Sequence, residues 1–259
     1  IKKLPSQQPI VAKDKIYYGS QQDSCMWFVE DVQFPSKAQD DNTMCVGQHT
    51  SHKKLPIALV VDRSGSSNYS ILGIGYNFDT NYSRKEMQFM ELFNRKIITF
   101  STRDSTGELM IGGHNHPKPQ LLFAMSPSEY FFGIQIYDIM IGNRSCREYH
   151  PETLPDRVIF DTGSNMMDFP QAFYTIFHKY IEQNLDDLHF IFRTMDGTLV
   201  RMTFDCNIYL WDSVNINSLI IEPAQDSLEK HVIWGSLFMN NLVFTFDIDN
   251  KTVGISRNK

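Results

Sequence analysis

The segment Val158-Ile159-Phe160-Asp161-Thr162-Gly163-Ser164 constrains this chain more than any other. A β-branched, apolar run reads as a buried strand, and it delivers an aspartate directly into a Thr-Gly turn. A carboxylate so placed lies where backbone N–H groups and a hydroxyl can hydrogen-bond it, which favours its ionised form. By average residue usage, an Asp-Thr-Gly tripeptide arises by chance in only about a few per cent of chains of this length. An Asp-x-Gly alone commonly does no more than make a turn, so the surrounding sequence has to decide what this one is for.

The chain has 259 residues, 42% hydrophobic and 21% charged, with formal net charge −6. That composition excludes disorder, which needs low hydrophobicity and high charge. Domains run to roughly 100–200 residues and all-β units to about 250, so the length fits one large β-rich body or two lobes. A mildly acidic balance without a Lys/Arg run argues against nucleic acid and anionic membranes as partners. No apolar run approaches the roughly 20 residues of a spanning helix. The opening Ile1-Lys2-Lys3-Leu4-Pro5 is not a signal peptide, since no apolar stretch follows; a processed or partial chain is expected.

Most of the sequence reads as short strands between turns. Ile16-Tyr17-Tyr18 runs through Gly19-Ser20 toward Met26-Trp27-Phe28-Val29, a hairpin. Residues 36–54 are polar and suit a loop or edge strands, and Leu55 to Val61 is an apolar strand. Residues 84–96 carry Met87, Met90 and Phe93 at helical spacing, and 170–184 make the clearest helix, with Pro170 at its start and Phe173, Ile176, Phe177, Tyr180 and Ile181 on one face. Further strands are expected at Ile97–Phe100, Glu108–Ile111 and Tyr130–Ile136, and from Phe190 to Ile255. The expected class is mainly β with a few short helices, divided near residues 114–127.

Taken in order, these pieces resemble the pepsin-like aspartic proteases. Asp161-Thr162-Gly163-Ser164 is similar to that family's catalytic turn. Ile16-Tyr17-Tyr18-Gly19-Ser20 is similar to the hairpin flap over its cleft, with Tyr18 as the flap tyrosine. Ile71-Leu72-Gly73-Ile74-Gly75, Gly107–Gly113, Tyr130–Ile134, Ile233-Trp234-Gly235-Ser236-Leu237-Phe238 and Phe246-Asp247 resemble successive family segments. The resemblance implies a bilobal fold, with residues 1–113 a partial amino-terminal lobe bearing the flap and 114–259 a carboxy-terminal lobe bearing the turn. It implies an aspartic endopeptidase acting on extended peptides, with Asp161 catalytic and Tyr18, Gly19, Gly163 and Ser164 at the substrate. No metal or organic cofactor is implied. Cys146 and Cys206 sit where the family often has a disulfide.

The family mechanism uses two aspartates that share one proton, one from each lobe. Asp161 would be the carboxy-lobe member, and the amino-lobe partner should precede the flap. Only Asp14 lies there, within the charged Lys13-Asp14-Lys15. A companion segment or chain supplying the second aspartate and completing the lobe is therefore expected. The rival expectation is a catalytically inactive binding or scaffold protein on the same fold. Val60-Val61-Asp62-Arg63-Ser64-Gly65 resembles an aspartate turn with one residue inserted, but it follows the flap, and an ordinary loop is the expectation. His114-Asn115-His116 lacks nearby ligands at metal-site spacings. Gln21-Gln22 replaces the small flap tip of the family, and Ser236 stands where it often has Asp.

Four cysteines, Cys25, Cys45, Cys146 and Cys206, form no CxxC pair; four buried thiols and two disulfides in an oxidising compartment are both open, and the disulfides are the expectation. Four N-x-S/T sequons, at Asn68, Asn81, Asn143 and Asn250, point the same way. The secretory pathway is the expected location, and activity is expected at acid-to-neutral pH.

Overall fold

In a computed structural model of the chain, the strands and turns expected from the sequence assemble into two units. The structure describes the backbone of residues 12–18, 21–35 and 49–63. It also describes residues 76, 90, 93, 95–103, 106–112, 116–126, 132–164, 166–183, 186–204, 221–224 and 230–258. One unit takes in Ile1–Gly75 and Asn81–Leu92; the other takes in Tyr76–Thr80 and Phe93–Lys259.

In the first unit, β1 (Ala12–Tyr18), β2 (Gln21–Pro35) and β3 (His49–Arg63) form an antiparallel sheet in that order. The pairing runs from Ala12 opposite Trp27 to Tyr18 opposite Gln21. β3 starts earlier than the apolar run from Leu55, because His49 to His52 continue the ladder against Val32 to Pro35. Asp62 is correspondingly a strand residue opposite Ser24 rather than part of a loop. The Ile71–Gly75 segment and most of the expected 84–96 helix lie outside the described residues.

The second unit holds two sheets. The first is β5 (Thr106–Ile111), β4 (Ile97–Arg103), β15 (Leu242–Asp247), β16 (Thr252–Arg257) and β6 (Leu121–Ala124), in that spatial order. It thus combines strands from both sides of residues 113/114. The second has the order β12 (Leu199–Phe204), β11 (Leu188–Arg193), β7 (Gly133–Ile141), β9 (Arg157–Phe160), β14 (His231–Trp234), β10 (Met167–Phe169) and β13 (Ile221–Pro223). The short β8 (Arg144–Ser145) pairs with β7. Three helices are described: α1 (Cys146–Tyr149), α2 (Gln171–Gln183) and α3 (Ser236–Met239).

The core explains why these segments take these forms. Phe160, Phe190, Phe192 and Phe204 surround Trp234, with ring centroids 5.0–5.8 Å away. Phe169 at the end of β10 meets Phe173 and Phe177 of α2 at 5.0 and 5.2 Å, so the apolar stripe that predicts the helix is what docks it. Phe160 also packs on Phe244 and Phe246 of β15, which ties the two sheets together. In β7 the pairing with β11 slips at Tyr137, leaving it unpaired between Ile136 and Asp138. This bulge turns the inward phase from Ile134 and Ile136 to Ile139 and Ile141, all four buried.

Candidate active site

β9 and β14 run parallel, with Val158 opposite Val232 and Phe160 opposite Trp234. Phe160 and Trp234 bury their rings in the aromatic core, so the chain emerges from the sheet at Asp161. The Asp161 N–H still donates to the Trp234 carbonyl at 3.1 Å, which extends the ladder by one bond. The turn then closes on the aspartate itself. Gly163 N–H donates to Asp161 Oδ1 at 2.8 Å, and Ser164 N–H donates to the Asp161 carbonyl at 3.3 Å. A carboxylate accepting from the amide two residues on is an Asx turn, so the Asp-Thr-Gly order builds its own holder. Asp161 is half-buried, and Thr162 and Gly163 are exposed. The Ser164 hydroxyl is turned to Met166 instead, donating to its carbonyl at 3.3 Å and lying 3.2 Å from its N–H.

Behind the turn, Gly235 N–H donates to the Met166 carbonyl at 2.8 Å and Ser236 N–H to the Ser164 carbonyl at 2.7 Å. A β-carbon on Gly235 would lie 2.2 Å from the Met166 carbonyl oxygen, 2.7 Å from the Met166 nitrogen and 2.7 Å from the Ser164 carbonyl oxygen. All three are backbone atoms, so no side chain can swing aside. Gly235→Ala is therefore expected to cost about 3 kcal/mol of stability by overpacking and to displace the Asp161 turn. A thermal melt checks it, and an unchanged transition would show that the strand ends can part at little cost.

Asp168 is a residue that the sequence reasoning passed over. Burial raises its carboxyl from an ordinary value near 3.8 to about 6, helped by the negative charges of Glu222 and then Asp161. Glu222 faces it directly across the parallel β10–β13 pair. Tyr174 of α2 is raised as well, by burial and then by Glu222. The available signal was the pattern around it: a lone acid between two apolar residues in a short strand.

Other expected residues fall as follows. Tyr18 ends β1, but its side chain and Gly19 lie outside the described residues, as do Asn68, Asn81, Cys45 and Cys206 and the side chain of Cys25. Cys146 is a free thiol, 2% exposed, which corrects the expected bridge from this residue. Its side chain opens α1 inside the protein, where burial and then the charge of Asp138 push the thiol up to about 12, so it is no nucleophile. Asn143 and Asn250 are exposed in turns. His116 lies against β4: Nδ1 is 2.7 Å from the Thr99 hydroxyl, and Nε2 meets the Gly112 carbonyl.

Compared with known proteins, residues 7–258 match the sequence model of the family described as eukaryotic aspartyl protease. The chain belongs to the eukaryotic aspartyl protease family. This family member is also similar in structure to the aspartic proteinase from Irpex lacteus. The TM-score is 0.69 at 18% identity, over 97% of this chain and 83% of that one. At that identity the likeness shows the fold, a mainly β pepsin-like one. No curated protein matches the chain. Family and fold together point to an aspartic protease hydrolase acting on peptides. Among the described residues, no helix is long and apolar enough to cross a membrane.

Proposed function

We propose that this protein is an aspartic endopeptidase in which Asp161 is one of two carboxylates that activate water against a peptide bond. The observation that carries the reading is the Asp161 carboxylate itself. It emerges from a buried strand, is gripped by the Gly163 N–H at 2.8 Å and is backed by the close packing of Gly235 on 164–166. In such a pair like charges cannot both ionise side by side, so one proton is shared. The ionised member takes a proton from the attacking water while the protonated member assists the carbonyl oxygen. The second aspartate comes from a companion segment or chain that completes the amino-terminal lobe. By their likeness to the family's segments, Tyr18, Gly19, Gly163 and Ser164 are the residues assigned to the substrate.

Peptide cleavage at acidic pH, with and without a pepstatin-like inhibitor, tests the reading. Inhibitor-sensitive cleavage that fades toward alkaline pH is the expected result, because the pair must keep its one proton. Inhibitor binding without any cleavage would favour the inactive scaffold instead.

We also propose residence in the secretory pathway, with glycans on Asn143 and Asn250, the two sequons described as exposed. A mass shift on endoglycosidase treatment, reduced in the Asn143→Gln and Asn250→Gln variants, is the expected outcome. An unmodified mass for the protein from its natural source would refute it.

A further inference from the structure

The face that β11 and β12 turn away from the core is basic. Phe190, Phe192 and Phe204 point inward and are buried. Alternation therefore puts Ile191 and Arg193 of β11, with Leu199, Arg201 and Thr203 of β12, on the outer side. Arg193 lies opposite Leu199, and Arg201 opposite Ile191. The charge of Arg201 is felt at His189, two residues before Ile191 on this same side. Arg193, Leu199 and Arg201 are exposed, Leu199 at 46%.

The bulge in β7 adds a third arginine. Tyr137, the residue left unpaired there, carries two guanidiniums against its ring. Arg147 of α1 has its Cζ 4.4 Å from the ring centroid, and Arg193 has its Cζ at 5.0 Å. The groups that fix them are neutral: Arg147 Nη1 donates to the Tyr137 carbonyl at 2.7 Å, and Arg193 Nη1 to the Gly197 carbonyl at 3.2 Å. Asp138 and Asp196, on the same segments, serve other donors. Asp138 accepts from the Ser145 hydroxyl at 2.6 Å and from the Arg147 N–H at 2.8 Å. Asp196 accepts from the Thr194 hydroxyl at 2.5 Å and from the Thr198 N–H at 3.0 Å. Two like charges on one ring repel, and each guanidinium has N–H groups to spare. Anionic groups laid across them would relieve the repulsion and take up those donors.

The chain as a whole carries a formal net charge of −6, so a face with three arginines stands out against it and is complementary to acids. Leu199 narrows the choice among acids. It is exposed beside Arg193 and two residues from Arg201, and a sulfated sugar or a free phosphate would leave its apolar surface unmet. In an extended peptide, side chains on one side repeat every roughly 6.6 Å, the same interval that separates Leu199 from Arg201 along β12. We infer that Arg147, Arg193, Arg201 and Leu199 form a docking surface for an extended acidic segment of another protein, one with an apolar residue among its acids. The surface is separate from the catalytic turn, because β7 lies between β11 and β9, the strand that leads to Asp161.

The test titrates the full-length protein, at neutral pH and low salt, with a fluorophore-labelled peptide in which serine alternates with glutamate and leucine in turn. Control peptides replace the glutamates by glutamine or by lysine, or the leucines by serine, and a sulfated oligosaccharide of equal charge is a further arm. The glutamate peptide is expected to bind about tenfold tighter than the glutamine one, the worth of three modest exposed pairs, and to weaken as salt rises. Arg193→Gln and Arg201→Gln should each lower its affinity about twofold to threefold. Melting curves should not move, since both side chains are exposed. Arg193→Glu combined with Arg201→Glu should turn the preference to the lysine peptide, and the glutamine variants keep the test open if that one does not fold. Equal binding of glutamate and glutamine peptides, or affinities unchanged in the variants, would overturn the inference. Tighter binding of the sulfated sugar, or indifference to loss of the leucines, would assign the face to polyanions at large and overturn it too. A dimer that dissociates in these variants while the peptide goes unbound would make a second copy of the chain the occupant instead.

Discussion

Asp161→Asn is expected to abolish peptide cleavage, lowering kcat by at least roughly 10³-fold, the upper range of what one acid–base group supplies. Asparagine has nearly the same shape, and its Oδ1 can still accept the 2.8 Å bond from Gly163 N–H. The turn should therefore survive, and thermal unfolding should stay close to that of the unsubstituted protein. What disappears is the negative charge that accepts the proton of the attacking water. Side-by-side kinetics and melting curves separate the two effects. Cleavage within a few-fold of normal in Asp161→Asn would place the chemistry elsewhere in the molecule. A collapsed melting curve would show that the charge is needed to hold the turn.

Trp234→Ala is expected to cost roughly 3–5 kcal/mol of stability, the range for emptying an aromatic site in a packed core. The ring is fully buried among Phe160, Phe190, Phe192 and Phe204, so truncation leaves a cavity among packed rings. The effect should reach the site as well, because the Trp234 carbonyl is the acceptor for Asp161 N–H. Trp234→Phe is the informative control. The indole N–H is buried without a hydrogen-bond partner among the described residues, so its removal forfeits no bond and the loss should be well below that of alanine. Urea unfolding of both variants measures the difference. A phenylalanine as damaging as alanine would mean that the N–H has a role.

Several parts of this structure were readable in advance because one residue type dominates each. The stripe of Phe173, Ile176, Phe177 and Ile181 predicted a helix over 170–184, and α2 spans Gln171–Gln183. The Asp161 turn was readable because the Asx geometry is written into consecutive residues. Pairings were another matter. β9 finds β14 from far along the chain, and nothing in Val158–Phe160 names that partner. The unpaired Tyr137 was hidden because a bulge depends on the neighbouring strand. The strand at His49 to His52 was concealed by its polar residues, which the ladder with β2 recruits through backbone bonds alone. Asp168 escaped because a single acid in an apolar strand acquires meaning only when register puts Glu222 beside it. Cysteine arithmetic misled at Cys146, since an even count says nothing of whether the thiol is enclosed in the core.

The order β5-β4-β15-β16-β6 carries a consequence for biosynthesis. β15 and β16 lie between β4 and β6 in the sheet, yet they follow both by more than a hundred residues in the sequence. While the polypeptide is still being synthesised, β4 with β5 on one side and β6 on the other have no one to bridge them. Their unpaired edges must wait in the open until the ribosome has released Leu242–Arg257. Closure of this sheet is thus late relative to the making of its outer strands, because the β15–β16 hairpin has to exist before β4 and β6 can be bridged.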